Sequence, residues 1–126
     1  MEENKKVVLV LCDDLIFGSR ISGEASAAGL DTKTFKTVEK LLDAATKLQF
    51  VGVLIDLGII PNSLELLISG IREKSGMAVP ILGYGSHVDV ELLKKARAAG
   101  YDPVLPRSKF VTDLPSILLS FANNNC

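Results

Sequence analysis

Two apolar runs in this chain end in acids. "VVLVLCDD" (7–14) leads into Asp13 and Asp14, and "VGVLID" (51–56) leads into Asp56. A carboxylate at a strand end can hold a hard cation, attack an electrophile, or accept the orphan N–H groups of the next helix. Taken singly, each acid reads as a cap, and Asp13 or Asp14 would suit the first turn of the helix that follows. Taken together the three are different, because like charges in one place repel until something neutralises them. Mg²⁺ does this with oxygen ligands, using one or two carboxylates with water and a phosphate oxygen. The fold decides between the readings, since only some topologies bring the two strand ends together.

Short apolar runs alternate with helical patterns along the whole chain. The first strand is read at Val7 to Leu11. A helix follows from about Leu15 to Ala28, with Phe17, Ile21, Ala25 and Ala28 on one face. "LDTKTF" is a weaker, edge-type strand. Thr37 is placed to cap a second helix whose apolar residues are Val38, Leu41, Leu42, Ala45 and Leu48. The third strand is read at Val51 to Ile55, and a helix from about Ser63 to Lys74 comes after a loop through Pro61. "VPILGY" is the fourth strand, "DVELLKKARAA" the fourth helix with Gly100 as its C-terminal cap, and "DPVLP" the fifth strand. A last helix carries Leu114, Ile117, Leu118 and Phe121. Strict alternation predicts an α/β fold, a doubly wound parallel sheet with helices on both faces. With five strands and a weak second one, the order is 2-1-3-4-5. The ends of strands one and three are then neighbours at the switch point, where such sheets bind ligands. Asp13, Asp14 and Asp56 are expected to meet there.

Composition narrows the function classes. The chain has 126 residues, one domain's worth, so a single domain over 1–126 is expected. Fourteen Lys and Arg against fifteen Asp and Glu leave a net charge of −1, which gives no electrostatic case for nucleic acid. No apolar run reaches the length of a membrane span, and "MEENKK" lacks the apolar core of a secretory signal. Cys12 and Cys126 show no metal-ligand spacing, and a reduced cytoplasmic protein is expected. Cys12 is read as strand packing, and the ends "MEENKK" and "NNNC" as frayed. "GYGSH" is not a dinucleotide fingerprint, because Val88 stands where the last glycine belongs. Ser86, His87 and Asp89 are too close along the chain to form a hydrolase triad.

The acid pair Asp13 and Asp14, Asp56 after the third strand, and "ARAAGYDPVL" leading into the fifth resemble the receiver domain of bacterial two-component response regulators. The resemblance runs from about Lys6 to Phe121 and implies the flavodoxin-like, three-layer version of the fold. It also implies Mg²⁺ held weakly by Asp13, Asp14 and Asp56, and phosphate accepted by Asp56 from a histidine kinase. Three positions depart from the family pattern. The hydroxyl residue at the end of strand four falls on Gly85, with Ser86 one place later as a substitute or as a cap through "SHVD". The family's lysine falls on Arg107, with Lys109 two residues on, and the two basic groups differ in reach and geometry. The strand-five aromatic falls on Val104.

The resulting expectation is a non-enzymatic signalling domain that acts through protein partners: a histidine kinase, a phosphotransfer protein or a downstream effector. It is either a phosphoacceptor with a modified switch or a pseudo-receiver. The competing reading is a flavodoxin-like ligand-binding or enzymatic domain, for which Tyr84 is the one aromatic near the crevice. Arg107 is expected to cross the crevice to Asp56, with Lys109 facing solvent.

Overall fold

A computed structural model describes residues 5–75 and 79–123. The expectation of frayed ends falls largely outside these residues, as does Cys126. Strand β1 (Val7–Leu11) leads to α1 (Leu15–Ala27), β2 (Asp31–Phe35), α2 (Val38–Lys47) and β3 (Gly52–Asp56). A 3-10 turn (Leu57–Ile59) separates β3 from α3 (Leu64–Ser75). Then come β4 (Ile81–Gly85), α4 (Val90–Ala99), β5 (Val104–Pro106) and α5 (Arg107–Ala122). The five strands are all parallel, in the order β2-β1-β3-β4-β5, as the alternation predicted.

Strand alternation divides the core in two. Val8, Val10, Leu54, Leu82 and Tyr84 face Ile21 and Ala25 of α1 and Phe110, Leu114, Leu118 and Phe121 of α5. Leu9, Leu11, Val53, Ile55 and Ile81 face the buried stripes of α2, α3 and α4. Because β1, β3 and β4 are covered on both faces, they are almost wholly apolar; β2, at the edge, has no fully buried residue. Two caps read from the sequence are present. Thr37 Oγ1 accepts the Lys40 N–H at 3.2 Å, and Gly100 closes α4 at φ 112°, a conformation that favours glycine.

Other boundaries shift by one or two residues. β3 takes in Asp56 itself, which pairs in register with Tyr84. β4 starts after Pro80, which has no N–H for the ladder. Asp102 stands outside β5 and instead bridges back to Ile81. No helix among the described residues is long and apolar enough to cross a membrane.

Candidate functional site

Asp56 is the one buried acidic or basic side chain among the described residues, with 5% of its surface exposed. Strand alternation puts it on the α1/α5 face, one step beyond Leu54 and beside Tyr84. Its Oδ1 accepts the Gly58 N–H at 3.1 Å, which caps the 3-10 turn. Its Oδ2 lies 3.6 Å from Nη2 of Arg107. Burial pushes the Asp56 carboxyl above the ordinary carboxylate range. Arg107 and the Gly58 N–H pull it back, and the charges of Asp13 and Asp14 add a smaller upward push.

Arg107 is the first residue of α5, half exposed, and it sits on aromatic rings. Its guanidinium carbon is 5.0 Å from the Phe17 centroid and 5.7 Å from that of Tyr84. Tyr84 is itself stacked on Phe110 with centroids 4.3 Å apart. Lys109 points away and pairs with Asp113 at 3.2 Å, one helical turn on. Of the two basic candidates, Arg107 therefore reaches Asp56 and Lys109 does not.

The remaining candidates separate. Asp14 caps α1, its Oδ1 accepting the Phe17 N–H at 3.0 Å; Asp13 is exposed beside it. The three acids lie at one edge of the sheet, and hard oxygen donors are the right chemistry for Mg²⁺. Yet among the described residues no three His, Cys, Asp or Glu side chains are grouped to hold a metal. In this arrangement one oxygen of Asp14 accepts an N–H, and the two of Asp56 are engaged by the Gly58 N–H and by Arg107. Ser86 does not cap α4. The helix starts at Val90, and the Ser86 Oγ accepts the Val88 N–H at 3.3 Å in a local turn. His87 is exposed. Cys12 is buried against the α1 face, as expected of strand packing.

The end of β4 is closed on its other face. A Cβ on Gly85 would lie 3.3 Å from Leu93 Cδ2, with Leu57 and Leu92 close behind. A Cβ on Gly83 would lie only 2.8 Å from Leu57 Cδ2. Leu57, next after Asp56 and fully buried, thus fills the room that a side chain at Gly83 would need, and Leu93 crowds the position at Gly85.

Sequence reasoning misses the aromatic seat of Arg107. The local pattern reads Phe17 as helix-face packing and Tyr84 as a crevice ring. Tyr84 is fully buried, so it offers no open platform for a planar ligand.

No family model matches the chain, and no curated protein matches it in sequence. Solved structures match it in fold. A response regulator receiver protein from Burkholderia phymatum is 24% identical over 90% of this chain and 95% of that one, with a TM-score of 0.68. A response regulator from Hahella chejuensis is 21% identical, covering 96% and 98%, with a TM-score of 0.74. The receiver domain of a sensor histidine kinase from Pseudomonas aeruginosa, with magnesium coordinated in its active-site cleft, is 16% identical. It covers 94% of this chain and 98% of its own, with a TM-score of 0.78. The chain has the receiver-domain fold.

Proposed function

We propose that this chain is a receiver-like signalling domain that works by binding other proteins, with Asp56 as its phosphoacceptor and a weakened switch. One observation carries the reading. The fold's switch-point crevice holds a single buried carboxylate, at the end of β3 and facing a cation, while Gly85, the last residue of β4, offers no hydroxyl. In the transfer, an Asp56 oxygen attacks phosphorus, a P–O bond forms, and the bond from phosphorus to the donor breaks with its electrons staying on the leaving group. Arg107 offsets charge on the phosphoryl oxygens. A bound Mg²⁺ would supply the same kind of charge neutralisation through Asp13, Asp14 and Asp56, and weakly, because Asp56 must first give up Arg107. The protein is no enzyme in its own right, and its partners are a histidine kinase or phosphotransfer protein and a downstream effector in the bacterial cytoplasm.

The response to phosphorylation is small. The atoms nearest to a Cβ at Gly85 belong to Leu57, Leu92 and Leu93, so this position has no hydroxyl with which to respond to a new phosphoryl group. Beryllofluoride with Mg²⁺, followed by ¹⁹F and amide spectra of wild type and Asp56→Asn, tests this. Bound fluorine signals with amide shifts confined to the crevice, all lost in Asp56→Asn, are expected. A rearrangement extending through α4 would show a working switch, and no adduct at all would remove Asp56 as the acceptor.

A further inference from the structure

The first turn of α5 contains Arg107 and Lys109 and no acid. Cations are disfavoured at that end of a helix, where the exposed N–H groups already carry positive potential. Lys109 is answered by Asp113. Arg107 has a different answer, made of Asp56 on one side and two rings from separate elements beneath, Phe17 of α1 and Tyr84 of β4. Phe17 also packs against Tyr84 and Phe110, at 5.4 and 6.0 Å between centroids. The rings therefore form one body before the guanidinium is added. The Tyr84 hydroxyl is buried near Cys12 and Asp56, and the ring face beneath Arg107 is what this tyrosine contributes to the seat.

We propose that Phe17 and Tyr84 are positioning residues whose rings hold the Arg107 guanidinium at Asp56 as a resident counter-cation, which a divalent metal ion must displace to reach that carboxylate. This rests on Asp56 being the acid of the site, but it does not require Asp56 to be phosphorylated. A planar guanidinium suits the seat, because it can lie on ring faces and still present N–H groups at its edge. An ammonium has the charge but is a compact, strongly hydrated point that does not stack. The seat thus selects Arg over Lys at this position, and it sets metal affinity through groups that never touch the metal.

Mg²⁺ titrations, followed by amide shifts at the crevice, test the proposal on five proteins. Arg107→Gln is expected to bind Mg²⁺ roughly tenfold more tightly than wild type, the effect of removing one nearby cation. Phe17→Leu and Arg107→Lys should each gain part of that, roughly threefold, because the charge remains but its seat is lost. Tyr84→Phe keeps the ring and should bind as wild type does. In wild type the Arg107 Nε–H resonance should be shifted upfield by the rings, and that shift should shrink in Phe17→Leu. A loosened fold would weaken metal binding, so tighter binding by Phe17→Leu is not a structural side effect. Equal Mg²⁺ affinity in wild type and Phe17→Leu overturns the proposal, as does an absence of binding in every variant. Failure of beryllofluoride to bind, with these Mg²⁺ effects intact, would instead overturn the phosphoacceptor reading alone.

Discussion

The two faces of β4 differ as much as neighbouring residues can. Tyr84 turns a large ring towards α1 and α5, while Gly83 and Gly85 turn no side chain at all towards α4. On the first face the ring is part of an electrostatic assembly with Arg107 and Asp56. On the second the missing side chains make a socket for Leu57. Asp56 belongs to both, since its two oxygens face Arg107 and the turn that carries Leu57. Charge is managed on one side of the sheet and shape on the other, with a single carboxylate between them.

Removing the key from the socket is the strongest way to break this contrast. Leu57→Ala should destabilise the domain by about 2–5 kcal/mol, the usual cost of deleting a fully buried leucine. Urea unfolding measures the loss, and amide exchange in α4 should quicken with it. A loss below about 1 kcal/mol would mean that the space collapses and that Leu57 fills no fixed socket.

On the charged face, Asp56→Asn should stabilise the protein at pH 7 by roughly 0.5–2 kcal/mol, the range typical of favourable single substitutions. The sign comes from the raised carboxyl. Folding favours the protonated form of Asp56, so its contribution is fully present below the unfolded value of 3.8 and is lost as pH rises through the raised folded value. The advantage of Asn should accordingly fade as pH is lowered through that window. An advantage that stays constant with pH would assign it to packing and not to charge.

A smaller effect sharpens the assignment of the cation. Arg107→Ala should destabilise by about 1 kcal/mol, because half exposure screens the pair. That loss should disappear in an Asp56→Asn background. Lys109→Ala should change stability by less than about 0.5 kcal/mol, as for an exposed pair one helical turn apart. Equal losses for the two would dissolve the distinction between them.

The features legible in the sequence are those written in local spacing. Strict alternation yields the strand order, and the weak pattern of "DTKTF" marks the edge. Thr37 and Gly100 announce their caps, and a count from Gly100 chooses Arg107 over Lys109. The misreadings involve groups brought together from distant parts of the chain. Phe17, Tyr84 and Phe110 come from three elements, and no local period says that they share a guanidinium. The socket for Leu57 depends on the register between β3 and β4, which sets Ile55 beside Gly83. Ser86 fits a capping pattern, yet it spends its hydroxyl inside its own turn, three residues before Asp89, and α4 begins later. The three acids are placed at the correct edge. Spacing leaves out the N–H and guanidinium partners that Asp14 and Asp56 acquire on folding.

Leu57 and Gly83 also constrain how such a sequence can drift. With 2.8 Å between a Cβ at residue 83 and the Leu57 side chain, any larger residue at 83 meets an occupied space, and any smaller residue at 57 leaves a void. Neighbours that share one volume are not additive in their effects on stability. A substitution at either position that is damaging alone becomes acceptable once the other has changed size in the opposite sense. The two sites, 26 residues apart in the chain, are therefore coupled through one volume, and a larger side chain at residue 83 requires the Leu57 side chain to shift or to shrink.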